Sequence, residues 1–199
     1  QMILSCLLKI DPKDNYYDTI LQVVKKYWVL TKGVPNPLEG IIDIPMVETT
    51  VGNRHRMGLM PLQTPETKMY VKKAGQEAFE AITHYRVLDS KNSVALVECT
   101  PETGVKHQIR CHLAFGLNTP VLGDHKYSHY TKMAPQKLYP EIIQHLGIRQ
   151  ATVRYLPMHL HARKLIIPEM KDGRNFFITS HIPKHFAQNM KWLKVKIPT

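Results

Sequence analysis

Residues 106–113, KHQIRCHL, place cationic and proton-exchanging side chains within one short segment. An arginine holds a carboxylate or a phosphate with two parallel hydrogen bonds, and a histidine exchanges protons near neutral pH. His107 and Arg110 are three residues apart, so in a helix they point towards the same side. The segment is therefore a candidate anion or acid–base site. Spacing alone leaves open that Arg110 is an ordinary surface residue of a basic protein.

Other histidines could ligate a metal ion. His159 and His161 share one face if their segment is a strand, and His125 and His129 lie near Asp124. For the first pair, no nearby cysteine or carboxylate completes a common ligand set. We therefore favour structural hydrogen bonding and predict no metal site, with a histidine metal hydrolase as a minor alternative.

A second cluster combines basic and aromatic side chains. Lys25 and Lys26 precede Tyr27 and Trp28, a grouping that could hold phosphates and stack bases. The alternative is an ordinary strand with one buried ring and lysines that reach to solvent. The sequence has no recognisable nucleophile motif and no glycine-rich phosphate loop.

Composition favours an anionic partner. The chain has 199 residues, with 27 Lys and Arg against 16 Asp and Glu, a formal net charge of +11. Such a charge attracts nucleic acid, although acidic proteins and membrane surfaces remain compatible with it. The three cysteines suggest a reducing compartment, and they form neither a disulfide framework nor a zinc motif.

The elements that must position these residues indicate an α+β fold with a mostly antiparallel sheet. A helix is predicted from Val105, closed by Gly116, and a second from His185 to Leu193. Strands are predicted near residues 2–8, 25–34, 41–45, 77–89, 93–100, 156–168 and 175–180, with a further strand candidate, KMYVKK, at 68–73 and a short helix within 11–22. Residues 51–76 are polar and basic, and we predict a flexible or RNA-facing insertion there.

Several motifs together resemble those of the RluA-type RNA pseudouridine synthases. The segment TGVKHQIRCHLAFGLNTPVLGDHKYS, residues 103–128, follows the family pattern of TG, HQIR, an apolar helix and a GD-x-x-Y turn. A K-x-Y triplet at residues 25–27 and the late MHLHARKL segment add to the resemblance. It implies a single catalytic domain over residues 1–199, with a pseudouridine-synthase-like, mostly antiparallel mixed sheet, flanking helices and a central RNA-binding cleft.

The resemblance also implies a reaction and roles for residues. A uridine leaves the RNA stack, its glycosidic bond is broken, and the base is rejoined through carbon 5, without metal or organic cofactor. Arg110 is expected to pair with a catalytic aspartate, and Tyr27 to pack on the uracil and assist proton removal. Four residues are expected to support the pocket or contact RNA: Lys25, Lys106, His107 and Gln108. Gly123, Asp124 and Tyr127 are expected to be architectural, and His112 to pack.

The family's aspartate lies in an HRLD-type motif that these 199 residues lack. We expect it about six residues upstream of Gln1. The chain would then be a piece of an active isomerase and inactive by itself. The alternative is a non-catalytic RNA-binding or ribosome-assembly protein with the same fold. The expected partners are RNA, ribosomal first and transfer or messenger RNA as alternatives, and mitochondrial ribosome-assembly factors. A monomer in the mitochondrial matrix is expected from the resemblance only.

Overall fold

The computed structural model describes residues 23–60, 77–171 and 173–197. The strand predicted at residues 2–8, the helix predicted within 11–22 and the strand candidate KMYVKK lie outside the described residues.

Eight strands form two antiparallel sheets in the described part of the chain. The larger sheet has six strands in the order β2-β5-β6-β1-β7-β8, and β3 and β4 form a separate hairpin. The strands are β1 (Val24–Lys32), β2 (Glu39–Asp43), β3 (Met46–Val51), β4 (Arg54–Leu59), β5 (Ile82–Lys91), β6 (Val94–Pro101), β7 (Leu160–Lys171) and β8 (Arg174–Thr179). This confirms the α+β prediction, although every described strand pair is antiparallel rather than mixed.

Three α-helices accompany the sheets in the described ranges. They are α1 (Gln108–Cys111), which continues as a π-helical turn (His112–Gly116), α2 (Pro140–Leu146) and α3 (Lys184–Leu193), with a 3₁₀ turn at Gln150–Tyr155. The helices predicted around 105–116 and 185–193 are therefore present. None of the described helices has the length and apolar character needed to cross a bilayer.

Side-chain alternation gives the six-stranded sheet two different faces. Val29 on β1 packs with Ile109 and Leu113 of the α1 segment. The next residue, Leu30, points the other way and packs with Ile142 of α2 and Phe186 of α3. The α1 segment therefore covers one face of the sheet, and α2 and α3 cover the other.

The β3–β4 hairpin corrects one part of the prediction for residues 51–76, because the segment that the structure describes is an ordered strand rather than a flexible insertion. Residues 61–76 lie outside the described residues, and contact of this segment with RNA stays a prediction. Residues 54–59 form strand β4, in which Met57 is 2% exposed and Arg56 only 4%. Met57 packs with Cys111 and Ala114, on the side of the α1 segment away from the large sheet. The basic residues of this segment suggest solvent exposure. The Arg56 guanidinium instead donates hydrogen bonds to the main-chain carbonyls of Lys126, His129 and Tyr130. The α1 segment is thus enclosed by the sheet on one side and the hairpin on the other.

Candidate active site

The start of α1 is fixed by Gln108, whose side chain is 4% exposed. Its Oε1 accepts hydrogen bonds from Thr103 Oγ1 at 2.8 Å and Val105 N at 3.0 Å. Its Nε2 donates to Ile82 O and to Thr83 Oγ1, each at 2.9 Å. The amide therefore ties the helix to β5 and to the preceding loop. These four bonds are what we expect of a residue that supports the pocket, and they leave the amide little capacity to contact RNA.

His112 extends the same network one turn later. Thr83 Oγ1 lies 2.9 Å from Nδ1, and Ile44 O lies 3.0 Å from Nε2. Because a carbonyl only accepts, Nε2 carries the proton and Nδ1 accepts from the Thr83 hydroxyl. Burial lowers the pKa of His112, so the neutral ring is the form that fits. The side chain is fully buried, which agrees with the expectation that His112 packs.

Arg110 forms a two-point ion pair with Asp124. Arg110 Nε lies 2.7 Å from Asp124 Oδ2, and Nη2 lies 2.9 Å from Oδ1. The side chains of Arg110 and Asp124 are 16% and 1% exposed. Burial alone would lower the pKa of Arg110, but the hydrogen bond and charge of Asp124 leave that pKa above its ordinary value. The guanidinium is therefore permanently charged and held in one orientation.

Asp124 therefore supplies Arg110 with a carboxylate from within this chain, and the expected pairing of Arg110 with a catalytic aspartate stays a prediction. The sequence signal for Asp124 is the GD pair of the GD-x-x-Y turn, which the resemblance assigns an architectural role. That interpretation holds in part, because Asp124 Oδ1 also accepts hydrogen bonds from the backbone N–H groups of Lys126 at 3.0 Å and Tyr127 at 3.2 Å. Asp124 thus shapes the turn and orients Arg110 at the same time.

Gly123 allows this turn to lie close to the segment before β7. Its φ of +83° is unfavourable for side chains, and a Cβ there would meet Pro157 O at 2.2 Å. Its backbone N–H donates to Gln136 Oε1 at 2.9 Å. Only glycine fits this position without displacing the backbone.

Tyr127 and His107 connect the turn back to the start of α1. Met57 N donates to Tyr127 Oη at 3.0 Å, and Tyr127 Oη lies 2.8 Å from His107 Nδ1. The hydroxyl therefore accepts from Met57 and donates its own proton to the His107 ring. Burial raises the pKa of Tyr127 to about 12, so the phenol keeps that proton at neutral pH.

Positive charge accumulates around His107. Its pKa is lowered to about 4 by burial, then by the charges of Arg110, Lys126 and Lys106. Burial, with Arg110 and Lys106, also lowers the pKa of Lys126. His107 is therefore neutral at physiological pH and has a left-handed backbone conformation, with φ of 58°. Lys106 and Arg110 are thus close enough to His107 for their charges to act on it, in a region suited to an anion.

Tyr27 lies on the face of β1 that α1 covers, and strand alternation puts Lys25 on the same side of the strand. Tyr27 is partly buried beside the cluster that contains Ile109 and Leu113. Lys26 and Trp28 point to the opposite face, where both side chains contact the Glu98 carboxylate at 2.8 and 3.5 Å. The predicted cluster of two lysines and two aromatic rings is therefore divided between two surfaces, as strand alternation requires.

Of the two histidines His159 and His161, His159 has structural contacts through both ring nitrogens, whereas the buried Nε2 of His161 has no hydrogen-bond partner among the described residues. Asn189 Nδ2 lies 2.8 Å from His159 Nε2, and His159 Nδ1 lies 3.1 Å from Leu122 O. Both ring nitrogens of this buried residue therefore bind protein groups. In the described part of the chain, no three His, Cys, Asp or Glu side chains are grouped as metal ligands.

Known proteins are similar to this chain in sequence and in fold. A family model described as RNA pseudouridylate synthase matches residues 18–115. Pseudouridylate synthase RPUSD4, mitochondrial, from Rattus norvegicus is 44% identical over 182 residues, which cover 89% of this chain and 48% of the relative. The Danio rerio protein of the same name is 41% identical, covering 96% of this chain and 56% of the relative.

A solved structure of Human RNA Pseudouridylate Synthase Domain Containing 4 superposes with a TM-score of 0.78 at 43% identity. That match covers 89% of this chain and 65% of the solved one. The chain spans about half the length of the rat relative, at 48%. The described fold, the HQIR helix and the GD-x-x-Y turn agree with these similarities. The chain belongs to the RNA pseudouridylate synthase family.

Proposed function

We propose that the protein containing this chain isomerises uridine to pseudouridine in structured RNA. The family membership supports this reaction, and the word "mitochondrial" in the relatives' names supports a mitochondrial location. We further propose that residues 1–199 form most of one catalytic domain, that the protein acts as a monomer, and that ribosomal RNA is its first candidate substrate.

The geometry of Arg110 is the observation that carries the proposal. Asp124 engages Nε and Nη2 and leaves Nη1 without a hydrogen bond among the described residues. The pairing fixes the plane of the guanidinium, so Nη1 is a preoriented donor for a further carboxylate or for an RNA phosphate. Such preorganised charge is what an enzyme needs to hold an ionised nucleophile in place.

The remaining site residues have supporting roles in this proposal. Tyr27, on the sheet face covered by α1, packs against the extruded uracil and assists proton removal at carbon 5. Lys25 and Lys106 contact the RNA backbone, and His107 supports the pocket through Tyr127. Gln108 positions the helix rather than the RNA, because its amide is fully engaged with protein groups.

The test compares full-length wild-type protein with Arg110→Lys and Tyr27→Phe variants. Tritium release from RNA labelled at carbon 5 of uridine measures isomerisation, and fluorescence anisotropy measures RNA affinity. Loss of the preoriented donor in Arg110→Lys should lower the rate by about 10²-fold or more, with little change in affinity. Arg86→Lys is a matched control, because that exposed guanidinium lies on β5 and contacts Glu98 instead.

The same two assays distinguish an active isomerase from the non-catalytic alternative. A wild-type protein that binds RNA but releases no tritium from any candidate substrate would support an RNA-binding or assembly role. Equal activity of wild type and Arg110→Lys would contradict the role given to Arg110.

A further inference from the structure

A basic cleft lies beside the Arg110–Asp124 pair. Its volume is about 560 Å³, and three separate parts of the chain line it. The lining residues are Arg54, His55, His125, Lys126, Met133, Ala134, Pro135 and Arg154. They include three permanent cations and two histidines but no acidic residue, so the cleft has a positive potential that its own walls do not neutralise.

His125 adds a further donor to this wall. Gln136 N donates a hydrogen bond to His125 Nδ1 at 3.1 Å, so the proton of the neutral ring is on Nε2. This Nε2 is buried and has no hydrogen-bond partner among the described residues. An N–H without an acceptor leaves its positive partial charge unscreened, which increases the attraction of the cleft for an anion.

Lys126 connects the cleft to the candidate active site. It follows Asp124 by two residues, and its backbone N–H donates to Asp124 Oδ1 at 3.0 Å. Burial and the charges of Arg110 and Lys106 lower the pKa of Lys126. An anion in the cleft would relieve this repulsion while lying next to the residues that orient Arg110.

The arrangement of the cleft fits an extended polyanion. Arg54 is in the β3–β4 hairpin, Lys126 is in the GD-x-x-Y turn and Arg154 is in the 3₁₀ turn, so the cations come from three separate parts of the chain. Met133 and Pro135 give the wall apolar surface that can contact sugar and base. A nucleic acid strand presents both repeated phosphates and such apolar rings.

We propose that this cleft binds the phosphodiester backbone of RNA next to the nucleotide that enters the active site. The assignment of RNA rests on the proposed function, whereas the preference for a polyanion rests on the cleft alone. Bound there, the strand is held in register with Arg110, and the contact is strongly salt-dependent.

The experiment replaces two exposed cations of the cleft in the full-length protein, as Arg54→Gln/Arg154→Gln. A control with the same charge change, Arg86→Gln/Arg174→Gln, alters exposed arginines on β5 and β8 of the large sheet. Anisotropy with a fluorescent RNA hairpin that carries uridines in its loop gives the affinity between about 50 and 200 mM KCl. Circular dichroism verifies that each variant is folded.

Each lost phosphate contact should reduce the magnitude of the slope of log affinity against log salt by about 0.7–0.9. The cleft variant lacks two such contacts, so the magnitude of its slope should be smaller by about 1.5. At about 0.1 M salt this corresponds to roughly a 30-fold loss of affinity, and the control should lose much less. Equal slopes and affinities for the cleft variant and the control would overturn the inference.

A tritium-release assay on the same proteins separates this inference from the proposed function. An active wild-type enzyme whose cleft variant binds RNA like the control would refute the cleft and leave the function standing. A wild type without activity, together with a reduced slope in the cleft variant, would refute the function and support the cleft.

Discussion

Removing the charge from both members of the Arg110–Asp124 pair should produce a more stable protein than removing it from one. Arg110→Met leaves a carboxylate that is 1% exposed without its cation. Asp124→Asn leaves the arginine without its anion, and the new amide N–H₂ faces a guanidinium N–H. Each single change should lower the free energy of unfolding by about 3–5 kcal/mol, the usual cost of breaking a buried ion pair.

The double variant Arg110→Met/Asp124→Asn has no unpaired buried charge. The amide oxygen that the second substitution introduces would still accept from the backbone N–H groups of Lys126 and Tyr127, which now bind Asp124 Oδ1. The methionine fills much of the volume of the arginine stem. We therefore expect the free energy of unfolding to fall by only about 1–2 kcal/mol relative to wild type, because hydrogen bonds are lost but no buried charge is left unpaired.

Urea unfolding of the full-length protein, followed by circular dichroism at pH 7, measures these differences. The coupling energy from the four proteins should be at least about 2 kcal/mol, well above the roughly 0.5 kcal/mol expected of independent sites. Additive losses, with the double variant as unstable as the two single changes together, would refute the role of the pair as a buried charge unit. The double variant should remain without isomerase activity, because the guanidinium is absent, and this separates stability from activity.

Three other changes test the surroundings of the pair by urea unfolding. Gly123→Ala should lower the free energy of unfolding by at least about 2 kcal/mol, because the new methyl group meets Pro157 O and the backbone φ is positive. An unchanged urea midpoint would contradict this close approach. Arg56→Lys should lower the free energy of unfolding by about 1–3 kcal/mol, because a lysine cannot reproduce the hydrogen bonds of the guanidinium to three carbonyls. Arg54→Lys, at an exposed position of the same strand, is the control. Burial lowers the pKa of His159 to about 4, so below pH 6.5 the unfolded chain binds a proton that the folded chain does not. The contribution of His159 to the free energy of unfolding should therefore fall by up to roughly 3 kcal/mol as the pH drops from 6.5 to 4. His107 and His112, whose pKa values are also lowered, add to the total pH dependence, so His159→Gln should make it shallower without removing it. Parallel curves for the two proteins would exclude a contribution from His159.

The parts of the fold that the sequence predicted are those with a strong local signal. Strands β5 and β6 correspond to the strands predicted near residues 77–89 and 93–100, and Asn92 and Ser93 in the tight turn between them have positive φ angles of 52° and 56°. Helix α2 was not named, although Pro140 at its start and Gly147 at its left-handed end are typical boundary residues. Local chemistry is therefore sufficient to predict β5 and β6, and the two boundary residues of α2 carry a local signal as well.

The β3–β4 hairpin and the partner of Arg110 could not be predicted in this way. Arg56 looks solvent-exposed in the sequence, and only the fold brings main-chain carbonyls from residues 126–130 around it. Asp124 lies fourteen residues after Arg110 in the chain, with the π-helical turn between them, and no local pattern pairs the two. Both contacts depend on tertiary structure, where propensity and periodicity carry no information.

The HQIR and GD-x-x-Y motifs form one hydrogen-bonded structural unit rather than two independent sites. Arg110 binds Asp124, and His107 binds Tyr127, so two positions of one motif contact two positions of the other. Tyr127 also accepts from Met57, which attaches the pair of motifs to the hairpin. A substitution at Tyr127 should therefore reduce isomerisation without touching the RNA, because it releases the turn that orients Arg110. Such a residue differs from a catalytic one in a measurable way: its activity loss should be accompanied by a lower unfolding free energy, whereas Tyr27→Phe should lower the rate of a protein that is as stable as wild type.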